Sequence, residues 1–248
     1  KWHGDTLLSE QKLVASDGRA EDLFGWRVAR SGDTIVVSAP YADRGSETDE
    51  GAVYVFIRSG QTWVQQARLS VPMTQRFGAA VAISGDVVVV GSPGDRFGDV
   101  NTGSAYVFRR NGTQWSAGAK LTHPQSTFID LGMAVGIAGD DVFVASQGAG
   151  GFGEVLLFRR TNDAWHYVTR LQGPNKVAGD RFGWALSAEN NQAAIGANAQ
   201  PGATTPPPGA VYLYTRQGSD WVLESSVGSG DIHQHVSGFG IGVHLAGD

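Results

Sequence analysis

The chain has 248 residues, 35 of them glycine, no cysteine, and a formal net charge of −5 with a pI near 5.6. Without cysteine there is no disulfide framework, no thiolate metal site and no thiol nucleophile, and the acidic balance argues against a general nucleic-acid binder, which needs a concentrated basic surface. No apolar run is long enough to span a membrane as a helix, and the start at Lys1 without initiator Met or signal peptide reads as a mature product or an excised piece.

In chain order, the first segment, "HGDTLLSEQKL" (His3 to Leu13), aligns under "SGQTWVQQARL" (Ser59 to Leu69) and predicts an isolated fourth strand in a partial unit over 1–23. Next comes "FGWRVARSGDTIVVSAP" from Phe24, which repeats without a gap as "FGAAVAISGDVVVVGSP" from Phe77, "LGMAVGIAGDDVFVASQ" from Leu131 and "FGWALSAENNQAAIGAN" from Phe182. "FGIGVHLAGD" opens once more at Phe239, so the starts are 53, 54, 51 and 57 residues apart. A period near fifty residues marks stacked or radial units. The units are 24–76, 77–130, 131–181 and 182–238, with a second partial unit over 239–248. The pentapeptide "GDRFG" occurs twice, but only Gly179 to Gly183 stands in the repeat context. The copy at Gly94 to Gly98 runs into "DVNTGSAYVF" and has another role.

Each unit carries four strand signals. A short run of small residues (Ala80 to Ile83) ends in a Gly-Asp turn, a nearly continuous apolar run follows (Val87 to Val90), and then "VYVF", "AYVF", "VLLF" or "VYLY" leads to Arg58, Arg110, Arg160 or Arg216. The fourth begins at Trp63, Trp115, Trp165 or Trp221, whose fixed place predicts packing between units. β-Branched and aromatic runs bounded by Gly, Asn and Asp are strand signals, and apolar residues on both faces of the middle strands mean that both faces are covered. The prediction is an all-β fold, a β-propeller of four-stranded antiparallel blades with partial strands at both ends. A base precedes the closing apolar residue at Lys12, Arg68, Lys120 and Arg170, which reads as charge on an exposed edge strand.

The phrases "FGAAVAISGDVVVVGSP" with "GSAYVFRRNGTQW", and "FGWRVARSGDTIVVSAP" with "GAVYVF", resemble FG-GAP repeats, the blades of the integrin α-chain propeller and of many secreted bacterial proteins. The resemblance implies an extracellular or cell-surface recognition or adhesion module. In the calcium-binding blades of that family an Asp/Asn-rich loop joins the first and second strands. Here the connection is only "SGDT", "SGDV" or "AGDD", too few oxygens for the six to eight that calcium takes. The resemblance is therefore to a variant without the calcium loop, and no cofactor or metal is expected.

Loop lengths point to one face. The stretches from Pro40, Pro93, Gln147 and Asn198 to Val53, Ala105, Val155 and Val211 are 13, 12, 8 and 13 residues, and those from the Trp to the next repeat start are 14, 16, 17 and 18. The other two connections are constant, so all the variation falls at one end of an up-and-down blade, where binding residues tend to sit. The candidate ligand-binding residues there are Tyr41, Asp43, Arg44, Asp95, Arg96, Phe97, Asp99, Asn101 and Phe152, with the first "GDRFG" as a loop tip presenting Asp95, Arg96 and Phe97 outward, or else a Gly-rich turn with Phe97 folded back. Asp231, His233 and His235 have metal-ligand chemistry but read better as a loop set. No catalytic constellation is found: paired central carboxylates are missing. A non-enzymatic module for a protein or glycan is expected. The alternatives are a structural subunit of a surface assembly and, further off, a propeller glycosidase. The ends leave a fifth blade incomplete, which predicts further blades from a longer chain or strands from another copy.

Overall fold

The computed structural model describes residues 2–3, 6–7, 10–43, 45, 48–97, 100–125, 130–147, 151–174, 179–198, 209–228 and 239–245, with only the backbone at 2–3, 6–7 and 97. Among them are four antiparallel four-stranded sheets, each with its strands in sequence order. The first blade is Val28–Ser31, Thr34–Ala39, Ala52–Ser59 and Thr62–Leu69; the second is Ala80–Ser84, Val87–Ser92, Ser104–Asn111 and Gln114–Leu121. The third is Val135–Ala138, Asp141–Ser146, Glu154–Thr161 and Ala164–Leu171, and the fourth is Phe182–Glu189, Gln192–Ala197, Ala210–Gln217 and Asp220–Gly228. This is the all-β, propeller-like arrangement that the repeat predicts.

Hydrophobic clusters lie between the sheets. Val36, Val53, Val55 and Leu69 of the first blade meet Val88, Val90, Tyr106 and Phe108 of the second. The second and third blades share another cluster, and the third and fourth a third one. The repeat-start aromatics Phe77 and Phe182 are fully buried in these joints, and removing such a side chain from water contributes about 1.5–3 kcal/mol. Trp221 lies edge-on to Phe143 at 4.9 Å, while Trp63, Trp115 and Trp165 pack half-buried on their clusters. The Trp position is thus a joint residue in every blade.

From the second repeat on, the glycine after the repeat-start residue is explained by the neighbouring blade; Gly25, after the first, has open space around it. Gly132 has φ +99, and a Cβ on it would meet the Ser104 carbonyl oxygen, with the Ser92 nitrogen at 2.9 Å, all backbone of the second blade. Gly240 sits in the same way, with the Ala210 and Ala197 carbonyl oxygens at 2.6 and 2.7 Å, while Gly78 and Gly183 would meet one backbone oxygen and two side chains at 3.0 to 3.3 Å. Parallel bridges join Gly51 to Phe77, Gly103 to Leu131 and Gly153 to Phe182. The second "GDRFG" is therefore the hinge at which one blade is seated on the last.

Each blade also carries a β-bulge where its third strand meets the fourth, between Val55 and Phe56, Val107 and Phe108, Leu157 and Phe158, and Leu213 and Tyr214. A bulge shifts the alternation by one residue. Trp63 opposite Arg58 and Arg68 opposite Tyr54 consequently face the same joint, although five residues separate them.

Two expectations at the ends are corrected. His3 to Leu13 is not a fourth strand: Trp2–His3 pairs with Thr6–Leu7, and no strand covers residues 10–15. No preceding third strand offers it a ladder among the described residues, so side chains hold it instead. Gln11 makes two hydrogen bonds to the Trp63 backbone, at 2.7 and 2.8 Å, and Leu13 and Ala15 cover the first blade's outer cluster. Residues 239–245 form no strand either, but Leu245 N donates to Ser187 Oγ at 3.0 Å. No core cluster joins the first blade to the fourth among the described residues.

Candidate functional site

The two ends of the blades differ in kind. At one end all eight connections are two-residue turns, such as Gly32-Asp33, Gly60-Gln61 and Asn162-Asp163, with positive φ at their first residue. Here the arginine at the end of the third strand is tied to the turn before the second: Arg58 to Asp33 at 3.8 Å, Arg110 to Asp86 at 2.6 Å and Arg160 to Asp140 at 2.6 Å. In the fourth blade Asn191 replaces the aspartate, and Arg216 turns to Asp141 of the third blade at 3.7 Å. Asp141 is wholly buried, takes Arg159 in two bonds of 2.6 and 2.9 Å and accepts Trp221 Nε1 at 2.8 Å. Its bond and charge raise the Arg159 pKa. An open cleft of about 420 Å³ between the first two blades, lined by Thr34, Arg58, Gln66 and Arg110, lies at this end. Its polar groups are engaged across the joint, Arg110 with Thr34 at 3.0 Å and Trp115 Nε1 with Gln66 at 2.9 Å. This end is a bracing surface.

The opposite end holds the long connections, and at each joint polar side chains gather there. Arg68 pairs with Asp17 at 3.1 Å and lies over the Tyr54 ring, while the Tyr54 hydroxyl donates to Asp17 at 2.8 Å. Burial pushes the Tyr54 phenol up to about 12. Asp17, Arg19, Asp22, Asp43, Tyr54 and Arg68 surround a cavity of about 200 Å³. In the second blade Asp95 accepts Ser104 Oγ at 2.5 Å and Tyr106 Oη at 2.6 Å and pairs with Lys120 at 2.9 Å. Burial alone would lower the Lys120 pKa, but the bond and charge of Asp95 raise it. In the third blade Glu154 is bonded to His123 Nε2 at 3.0 Å, with Arg170 at 3.8 Å. His123 Nδ1 lies 2.7 Å from the Gln125 carbonyl oxygen and 2.9 Å from the Gln125 nitrogen, so the Gln125 backbone fixes the ring beside Glu154.

Two readings are corrected here. Arg68, Lys120 and Arg170 do not guard a free edge; the bulge turns them toward carboxylates at the joints, the exposed Asp17 for Arg68 and the buried Asp95 and Glu154 for Lys120 and Arg170. Asp95 does not point outward from a loop tip: it is 3% exposed and its backbone oxygen also accepts Thr102 N and Gly103 N. Three donors offset the cost of taking that carboxylate out of water. Arg96 does point outward, bonded to Asn101 at 2.8 Å across a short hairpin of Arg96–Phe97 with Val100–Asn101. Tyr41 and Asp43 are half-buried, Asp43 taking Arg19 at 3.3 Å, and Phe152 is 40% exposed. Arg44, Asp99, Asp231, His233, His235 and the Phe97 side chain lie outside the described residues. The loop end thus brings together Asp17, Tyr54 and Arg68, and Asp95, Tyr106 and Lys120, sets that loop reading alone does not find. The signal was the base at a fixed place in the fourth strand together with the tyrosine of "VYVF".

Repeated blades seated through Phe-Gly hinges define an FG-GAP-type propeller. The chain belongs to the FG-GAP repeat family, whose repeat matches residues 8–56, 63–108 and 165–214, more than half of it. No curated protein sequence matches the chain. Similar solved structures include a lectin of Aleuria aurantia bound to Fucalpha1-6GlcNAc (10% identity, TM-score 0.48, 81% of this chain and 61% of that one). A GH32 beta-fructofuranosidase of Bombyx mori is another (12% identity, TM-score 0.46, 79% and 47%). The chain thus spans about three fifths of the lectin and about half of the fructofuranosidase, and neither bears on what this chain binds.

Proposed function

We propose that the protein is a non-enzymatic, extracellular recognition module that binds a protein or glycan through its loop end. The supporting observation is the asymmetry of the blades: eight two-residue turns at one end, three of them tied by an arginine, and all the long connections at the other. That loop end carries the exposed Arg96, Val100 and Phe152, a cation and apolar groups that water alone serves poorly. The scaffold holds these loops on paired, buried carboxylates, so the surface can vary without loss of the fold. Asp17, Asp95 and Glu154 at the joints are engaged by tyrosine, lysine, arginine or histidine, a bracing use rather than the paired, solvent-facing use that glycoside hydrolysis needs.

The same reading takes calcium as unnecessary. Asp33, Asp86 and Asp140 are each a turn's carboxylate already committed to an arginine, whereas calcium would need six to eight oxygens. The experiment is a combined glycan and protein array probed with the chain. Binding that is weakened by Arg96→Ala or Phe152→Ala and unchanged by Gln61→Ala at the turn end supports the proposal. Hits that depend on the turn end would overturn it.

A further inference from the structure

At the turn end the third and fourth blades are joined through one carboxylate. Asp141, the first residue of its blade's second strand, takes two bonds from Arg159 directly opposite, accepts Trp221 Nε1 and lies 3.7 Å from Arg216. The first and second blades repeat the donors of this joint without the carboxylate. Arg110 and Trp115 stand where Arg216 and Trp221 do, but Thr34 holds the place of Asp141, and Ile57 opposite it holds the place of Arg159. Arg110 therefore reaches the Thr34 hydroxyl at 3.0 Å, and Trp115 Nε1 turns to Gln66. With two shorter side chains in these places the joint opens into the cleft of about 420 Å³.

Two cations stand in its wall. Arg110 holds Asp86 through Nε and Nη2 and Thr34 through Nη1, which leaves an N–H on each terminal nitrogen. Arg58 is held more loosely: Asp33 is 3.8 Å away and 73% exposed, whereas Arg110 and Arg160 meet their aspartates at 2.6 Å.

We propose that this cleft is a subsite for a small organic acid, its carboxylate clamped between Arg58 and Arg110 and its short apolar stem lying along Ile57. The bound carboxylate plays at the first joint the part that Asp141 plays at the last. Gln66 and Thr34, also in the wall, add an amide and a hydroxyl that can donate. Guanidinium forks match the planar carboxylate, and charge-assisted bonds of this kind are the strong ones. The volume is that of a small-molecule site. Asp33 and Asp86 already offset the charge of the two arginines, so the cleft suits a single negative charge rather than a phosphate dianion. The inference concerns the turn end and does not rest on recognition at the loop end.

The test is an NMR titration of the full chain with sodium butyrate, exchanged for chloride at constant ionic strength, with butyramide as the uncharged control. It is read at the Trp115 indole N–H signal, identified by its loss in Trp115→Phe. Expected is a saturable shift with butyrate alone, with affinity about tenfold or more weaker in Arg58→Gln, the loss of one charge-assisted hydrogen bond. Arg58 is exposed, so this variant should keep its urea midpoint, which separates lost binding from a lost fold. In Thr34→Asp the response should vanish, because the chain then supplies the carboxylate to Arg110. Equal shifts with butyramide, an affinity unchanged in Arg58→Gln, tighter binding of inorganic phosphate, or no saturable shift would overturn the subsite.

Discussion

Gly132→Ala measured beside Gly25→Ala separates backbone strain from the seating of one blade on another. Both glycines have nearly the same φ, +99 and +96, so an L residue at either is strained; left-handed backbone costs about 1–2 kcal/mol per residue. They differ in surroundings. A Cβ on Gly25 meets nothing within 4 Å, whereas one on Gly132 meets the backbone of Ser104, Ser92 and Gly91. Backbone on both sides cannot rotate away, and overpacking of this kind adds about 1–3 kcal/mol. Gly25→Ala should therefore lose about 1–2 kcal/mol and Gly132→Ala about 2–5 kcal/mol. At roughly 2–4 °C per kcal/mol for a chain of this size, the second variant should melt several degrees below the first. Urea unfolding followed by tryptophan fluorescence gives the comparison, with Gly240→Ala, whose Cβ would meet the Ala210 and Ala197 backbone, as a repeat of the test. Equal losses at Gly25 and Gly132 would refute the argument that the hinge glycine exists to admit the preceding blade.

Trp221→Ala should cost about 3–5 kcal/mol, since it removes a large buried aromatic and leaves part of the Asp141 carboxylate without its donor, while Arg96→Ala should stay within about 0.5 kcal/mol; similar midpoints for the two would contradict the joint assignment. Asp180 has its folded pKa raised by burial, so its contribution is fully present below the unfolded value near 3.8 and is lost as pH rises through the folded value. Asp180→Asn should accordingly raise the unfolding midpoint at pH 7, and the gain should shrink as pH falls toward 3; a loss of stability at pH 7 would show that the carboxylate is paired. Adding a calcium chelator should leave the melting temperature unchanged, because a bound ion would stabilise the folded state by mass action, and a fall of several degrees would expose a calcium site.

The repeat, the four strands per blade and the Trp joint position were legible because they depend on short-range facts. Turn residues recur at fixed offsets, and apolar runs on both faces require cover. The two-residue turns follow from the same local chemistry. The polar sets were not legible, because they hang on the bulge. The sequence shows Trp63 and Arg68 five residues apart, which in a regular strand would put them on opposite faces; one extra residue puts them on the same face. Asp95 was misplaced for a related reason. A Gly-flanked acidic residue in a loop looks solvated until the third and fourth strands bring Ser104, Tyr106 and Lys120 to it. By itself the sequence determined the unit, its period and which end varies, since these are properties of neighbouring residues. Tertiary structure alone decided which charges are buried and which glycines seat a blade, because both depend on contacts between segments that the chain separates by anything from nine to eighty residues.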